Sequence, residues 1–342
     1  MGAPARRIRA AVVGAGHMGA YHALAYAELP DVDLIGVVDL DASRARKVAQ
    51  HYETRSFTDH RELIGCADVV SVVVPTDEHF RVARDLLEAG MSVLVEKPMT
   101  PTLEEARELF AVARRAGAIL QVGHVERFNG AVQELRKIVD RPILIESRRL
   151  GPFVPRVQKD TVVMDLMIHD IDIVLTLAGS RPRHLAAFGA AVHSEVTDVA
   201  SVQITFDSGA IATLTASRAT EEKIRTLSIT QLDAYILLDY IDQDIQIHRR
   251  AAQEYSVNRE SIRYRQASLV EHLFVHKDNP LKLEILHLIR TTRALRAGQP
   301  LPLGEADDLR SLAMALAIER MIRDGVASET WPQEPPWSAP SV

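Results

Sequence analysis

Between residues 8 and 123, short β-branched runs alternate with stretches in which Leu and Ala recur every three to four positions. The runs cover residues 8–13, 32–38, 69–74, 92–95 and 119–123, with a weaker one at 54–57. Continuous apolar runs of this length predict strands buried on both faces, and the three-to-four spacing predicts amphipathic helices. Strand and helix in turn predict a parallel, doubly wound sheet. The punctuation agrees: Asp41 can cap the helix holding Ala45 and Val48, Thr102 with Glu105 matches a capping box, and Gly90 and Gly117 stand where helices should stop.

Beyond Gly123 the pattern changes. One helical stretch at 161–178 is followed by alternating runs at 184–192, 199–206, 210–218 and 224–231, with Asp207, Ser208 and Gly209 as a hairpin turn between two of them. Strands in succession without helices between them predict a largely antiparallel sheet. Helical patterns at 281–297 and 305–322 close the chain, and the last 12 residues hold four Pro and predict a disordered end. The expected fold class is thus α/β, a doubly wound parallel sheet followed by an α+β domain on an open sheet.

A length of 342 residues suits two domains with substantial cores. Forty Lys and Arg against 46 Asp and Glu give a net charge of -6, so there is no global positive field to hold nucleic acid. Cys66 is the only cysteine, which excludes an intramolecular disulfide framework and suits a reducing compartment. Arg6, Arg7 and Arg9 ahead of an uncharged stretch at 10–27 imitate a targeting signal, but Gly14, Gly16, Gly19, His17 and His22 interrupt it. Position 6 is Arg, so the myristoylation pattern fails. With no apolar stretch of membrane-spanning length, the expectation is a cytoplasmic protein without a membrane partner.

Gly14-Ala15-Gly16-His17-Met18-Gly19 follows the first strand and opens a helix. The first Gly permits a tight turn, the second lets backbone approach a pyrophosphate, and the third packs helix on strand. Asp39 ends the second strand, where a carboxylate can accept from both ribose hydroxyls and would repel a 2'-phosphate. It favours NAD over NADP, although Arg44 leaves some room for the phosphorylated cofactor. An ordinary strand-to-helix turn is the competing reading.

Pro75-Thr76, with His79 a turn later, ends the fourth strand, and Glu96-Lys97-Pro98 ends the fifth. Carboxyl ends of parallel strands are where such sheets bind ligands. Lys97 is a candidate for the cleft, or else an exposed lysine before a helix. Asp165, His169 and Asp172 fall on one face of a helical pattern, where Asp165 can orient His169 as a base at neutral pH. A metal site or a core histidine would use the same residues. Three ligands from one helix with no fourth make a poor metal site, so no metal is expected.

Taken together, the glycine loop, Asp39, Glu96-Lys97-Pro98 and Asp165-x-x-x-His169 resemble the superfamily of glucose-fructose oxidoreductase, inositol dehydrogenase and rhizopine-catabolism proteins, over roughly residues 8–325. The resemblance implies an N-terminal Rossmann domain (1–123), a substrate-binding and oligomerising domain (124–328) that commonly forms dimers or tetramers, and a tail (329–342). It implies catalysis by Lys97, Asp165 and His169, with cofactor contacts from Gly14, Gly16, His17, Met18, Gly19, Asp39, Pro75, Thr76, His79, Glu96 and Lys97.

VGHVERFN at 122–129, RRLGPFVPR at 148–156 and DLMIHDIDI at 165–173 resemble more narrowly the branch containing UDP-N-acetylglucosamine 3-dehydrogenase. Gly130 departs from it, standing where a Pro is expected. That branch oxidises the sugar 3-hydroxyl so that an aminotransferase can install a 3-amino group for lipid A. The implied substrate contacts are Lys97, Arg127, Asn129, Arg149, Arg156, Asp165 and His169, the arginines offsetting the diphosphate. Competing readings are a dehydrogenase of UDP-N-acetylglucosaminuronate or of a polyol such as inositol, and a nucleotide-responsive regulator without turnover. Intact Lys97, Asp165 and His169 argue against the regulator.

Overall fold

The computed structural model describes residues 6–154, 160–258, 261–299 and 305–333. Two compact units emerge, one from residues 6–128 with 278–299 and 305–313, the other from 129–277 with 314–333.

The first unit opens with β1 Ile8–Val13, α1 His17–Ala27, β2 Val32–Val38, α2 Ala42–His51, β3 Arg55–Phe57, β4 Val69–Val72, α3 Thr76–Glu88, β5 Ser92–Glu96, α4 Leu103–Ala116 and β6 Leu120–Gly123. Among the described residues the six strands lie in the order β3-β2-β1-β4-β5-β6, all parallel. Every residue of β4 is buried, as a strand covered by helices on both faces requires. The order reverses between β1 and β4, so the glycine loop after β1 and Pro75 after β4 flank the switch point where doubly wound sheets bind ligands. The predicted caps are present: Asp41 accepts from Ser43 N and Arg44 N, Thr102 accepts from Glu105 N, and Gly117 ends α4 at φ +60°.

The second unit holds α5 Gly130–Ile138, β7 Leu144–Leu150, a π turn at Val163–Met167 running into α6 Ile168–Ala178, β8 Pro182–Ala190, β9 Val199–Phe206, β10 Ile211–Ser217, β11 Ile224–Thr230, β12 Ala234–Asp239, β13 Asp244–Asn258, β14 Ser261–Leu273 and β15 Ser328–Thr330. Among the described residues these strands form one open sheet, β14-β13-β12-β11-β7-β10-β9-β8-β15. All pairs are antiparallel except β7 with β10, where Leu150 stands opposite Ser217. The predicted hairpin turn joins β9 to β10, with Gly209 at φ +87°.

After this sheet the chain returns to the first unit. In α7 Pro280–Arg296, Leu281, Ile285, Leu288 and Ile289 recur at helical spacing and are buried in the same core as Ile8, Ala10, Ala23 and Tyr26. The second domain is therefore not the continuous 124–328 expected from the order of patterns, because the apolar stripe of α7 completes the nucleotide-type core. The last helix is α8 Glu305–Asp324. Part of the expected tail is also ordered, since Glu329 and Thr330 pair with β8 and Trp331 is buried with its backbone N–H on Arg183 O. Residues 334–342 lie outside the described residues. No described helix is long and apolar enough to cross a membrane.

Candidate active site

In the first unit, a sharp turn links β1 to α1. Gly14 adopts φ +105°, and a Cβ there would overlap Val73 O. A Cβ at Gly19 would overlap the Gly14 carbonyl, whereas one at Gly16 would meet no protein atom within 4 Å. The three glycines thus divide into two required by the fold and one that leaves open space. No side chain caps the N-terminus of α1, and its first turn, with His17 and Met18, holds no acid. That leaves N–H donors and the positive end of the helix dipole for an anion. These features fit the pyrophosphate of a dinucleotide.

Asp39 follows β2 directly. Its Oδ2 accepts from Ala15 N (2.9 Å) and its Oδ1 from Asp41 N (2.9 Å), which fixes the carboxylate beside the glycine loop. Arg44 Nη2 lies 3.1 Å from Oδ1. Oδ2 therefore retains a lone pair for a ribose hydroxyl, while Oδ1 is taken by Asp41 N and Arg44.

Pro75 precedes Thr76 at the start of α3, and His79 in the next turn is buried. Its Nδ1 lies 3.0 Å from Pro98 O and its Nε2 2.8 Å from Val74 O. Burial pushes the imidazole pKa down against the pull of these carbonyls, and the neutral ring donates to only one of the two. The Lys97–Pro98 peptide is cis, and Lys97 is partly exposed. Glu96 behind it is hydrogen-bonded to His22 Nε2 at 3.0 Å and to Lys97 N at 3.2 Å.

Arg127 lies in a single 3-10 turn, Val125–Phe128, and its Nη1 pairs with Asp308 Oδ1 at 2.6 Å within the same unit. Near this pair Glu284 of α7 is completely buried, with neither carboxyl oxygen hydrogen-bonded. Burial, then the nearby Glu96 charge, raise its pKa well above the ordinary 4.5, only partly opposed by Arg127.

In the second unit, Asp165 lies in the π turn and His169 in the first turn of α6. Both are partly exposed, while Met167, Ile168 and Asp170 between and beside them are buried. The regular helix expected at 161–178 therefore begins with an i+5 turn, a distortion frequent at functional sites. Asn129 is buried and caps α5, its Oδ1 accepting from Ala131 N (3.0 Å) and its Nδ2 donating to Tyr240 O (3.1 Å). Arg149 is 2% exposed and donates to Asp170 through Nε (2.7 Å) and Nη2 (3.0 Å). Asn129 and Arg149, read from the sequence as substrate contacts, thus stand inside the unit with partners from this chain. Arg156 lies outside the described residues.

Sequence reasoning did not single out His22, Asp170, Tyr240 or Glu284. Asp170 had a visible signal, since it sits next to His169, and His22 recurs at helical spacing after Met18 and Gly19. Nothing local marks Glu284 or Tyr240.

Residues 8–124 match the family described as oxidoreductase family, NAD-binding Rossmann fold, and residues 130–231 match the GFO/IDH/MocA C-terminal domain. The UDP-N-acetylglucosamine 3-dehydrogenase of Acidithiobacillus ferrooxidans is 38% identical over 246 residues, which cover 72% of this chain and 78% of that one. A solved structure of that protein superposes with a TM-score of 0.83 at 34% identity, covering 93% of this chain and 98% of the other. The scyllo-inositol 2-dehydrogenase (NAD(+)) of Bacillus subtilis is 29% identical over 231 residues, 62% of this chain and 68% of its own.

Proposed function

The chain belongs to the GFO/IDH/MocA oxidoreductase family, and from that premise we propose that it oxidises the 3-hydroxyl of a UDP-sugar, UDP-N-acetylglucosamine, with NAD as the acceptor. The likeness to the 3-dehydrogenase, extending over most of both chains, carries the choice of substrate. The carboxylate of Asp39 at the end of β2 carries the choice of NAD over NADP.

When bound, the nicotinamide supplies the carbon that accepts hydride. The uncapped N-terminus of α1 with Gly16 would hold the cofactor's pyrophosphate, and Asp39 would accept from its ribose. His169 takes the proton from the sugar 3-oxygen, and Asp165 orients the imidazole and raises its basicity. Lys97 donates a hydrogen bond to that oxygen and offsets the charge that develops as the proton leaves. Of the predicted diphosphate contacts, Arg127 already pairs with Asp308 and Arg149 with Asp170.

The test is incubation of the protein with NAD and a panel of UDP-N-acetylglucosamine, UDP-N-acetylglucosaminuronate and inositol, following reduced nicotinamide absorbance and the mass of the keto product. UDP-N-acetylglucosamine should turn over fastest. Lys97→Ala and His169→Ala should each lower kcat by about 100-fold or more; turnover within a few-fold of wild type would remove those roles. Faster turnover of inositol would move the substrate to the polyol class, towards which the Bacillus subtilis relative points. The same reading makes the protein a cytoplasmic homodimer or homotetramer whose product feeds an aminotransferase of lipopolysaccharide synthesis. Light scattering on the purified protein reads the oligomer.

A further inference from the structure

We propose that Arg149 and Asp170 are positioning residues, a buried fork between β7 and the first turn of α6 that fixes where His169 stands and sets the charge its ring experiences. The kinetic part of this inference rests on the dehydrogenase reading above.

Arg149 occupies an inward position of β7, in line with Ile145 and Ser147, where a sheet core ordinarily takes an apolar side chain. Its two parallel hydrogen bonds to Asp170 have the fork geometry that only a guanidinium supplies. Tyr240, itself buried, holds its ring 5.0 Å from Arg149 Cζ. Replacing such a buried pair by apolar residues often costs no stability, so stability is a poor account of its presence. Geometry is a better one. Beyond Asp170, α6 is buried through Ile171, Ile173, Val174, Leu175 and Leu177, and such non-directional contacts fix rotation about the helix axis only loosely. The π turn ahead of it interrupts the ordinary helical register. A twist of about 20° would carry a side-chain atom about 6 Å from the axis through about 2 Å. Misplacement on that scale is enough to cost a proton transfer roughly 100-fold.

The fork also settles charge. α6 packs on the π turn, β7 and β10. Ionisable groups on these elements are Asp165 in the π turn, Asp170 and Asp172 in α6, and Glu146, Arg148 and Arg149 on β7, of which Glu146 and Arg148 are exposed on the opposite face. β10 carries none, and Arg218 just after it is held by Asp198 at 2.5 Å. Arg149 is thus the buried cation that neutralises the carboxylate next to His169. Removing the cation leaves Asp170 to stabilise the imidazolium, and removing the carboxylate leaves Arg149 to oppose it, so the two changes should move the His169 titration in opposite directions.

The experiment follows the His169 Cε1–H resonance by NMR against pH, assigned by its loss in His169→Gln, together with kcat and KM on the preferred substrate. Arg149→Met should raise the His169 pKa and Asp170→Asn should lower it, each by roughly half a unit or more. The double variant Arg149→Met/Asp170→Leu, which buries no lone charge if either single variant fails to fold, should titrate like wild type. It should nevertheless lose roughly tenfold or more in kcat, with KM for the nucleotide sugar within about twofold. Arg149→Lys should restore the titration but not kcat. Unmoved titrations, or a folded double variant with wild-type kcat, would overturn the inference. So would a raised KM at unchanged kcat, which would make Arg149 a substrate ligand. Should wild type oxidise none of the alcohols, the dehydrogenase reading falls and the titrations alone decide this one.

Discussion

His22 Nε2 donates to Glu96 Oε1 across 3.0 Å and so ties the helix that follows the glycine loop to the residue before Lys97, 74 positions later. The same carboxylate receives Lys97 N on its other oxygen. One largely buried acid therefore connects the element that would bind pyrophosphate to the backbone of the proposed oxyanion-stabilising lysine.

Burial of Glu96 works against its ionisation, yet the His22 hydrogen bond and the His22 and Lys97 charges outweigh burial and hold its pKa below the ordinary carboxylate value. A carboxyl lowered on folding adds stability above its unfolded pKa, and that contribution is lost as pH falls through the folded value. Glu96→Gln should therefore melt below wild type at pH 7, by the equivalent of about 1–3 kcal/mol. The gap should close below the ordinary value of 4.5. Melting temperatures at pH 7 and pH 3.5 decide it, and a gap independent of pH would refute the pairing.

The glycine loop separates fold from ligand. Gly19→Ala forces a methyl onto the Gly14 carbonyl and should destabilise the protein measurably, by about 2 kcal/mol or more. Gly16→Ala meets no protein atom within 4 Å and should melt within about 0.5 kcal/mol of wild type. Its methyl would stand where the pyrophosphate passes, so its dissociation constant for NAD should rise roughly tenfold or more. Calorimetric melting and NAD titration of the two variants separate these outcomes, and unchanged NAD affinity in Gly16→Ala would move the dinucleotide off this loop.

The first unit was legible because its strands are buried on both faces and carry continuous Val and Ile runs, and because glycine and capping residues mark each turn. β7 was not, since its inward positions include Ser147 and Arg149 and the alternation of apolar and polar residues disappears. The π turn left no trace either, because an apolar face at 161–178 tolerates one extra residue without losing its stripe. Lys97 was visible at the end of a predicted strand, and Asp165 and His169 on one face of a predicted helix. Arg127 and Arg149 were visible as charge only. Their carboxylate partners, Asp308 and Asp170, come from other elements, so a sequence offers the cation without saying that it is already matched. For the same reason α7 was assigned by chain order to the wrong domain, although its stripe was read correctly as a helix.

Glu284 offers a test of buried charge in the first unit. Its raised pKa means that wild type loses stability as pH rises from the unfolded carboxyl value towards the folded one, the reverse of Glu96. Glu284→Gln removes the ionisation and keeps the shape. The melting temperature of the variant relative to wild type should therefore be more positive at pH 8 than at pH 5, as measured by thermal denaturation in matched buffers. A difference that stays constant over this range would show that Glu284 is ionised and paired in the folded protein.

Cofactor choice turns on Asp39 and its neighbour. Arg44 Nη2 lies 3.1 Å from Asp39 Oδ1, so the guanidinium is held by the carboxylate that would receive the ribose hydroxyls. A 2'-phosphate would meet the negative charge of Asp39 before it could use Arg44. Asp39→Asn should remove that repulsion and release Arg44 from an ion pair, while its single amide oxygen keeps an acceptor for one of the two backbone donors, Ala15 N or Asp41 N. The expected result is a loss of about tenfold in kcat/KM with NAD and a gain with NADP, together moving the preference by about 100-fold, or roughly 2.7 kcal/mol. Arg44→Ala added to this variant should cancel the gain with NADP and leave the loss with NAD, because the phosphate then has no cation to meet. Steady-state kinetics with both cofactors on the three proteins read each step. An NADP preference that is unchanged in Asp39→Asn would place the determinant outside β2 and its following turn.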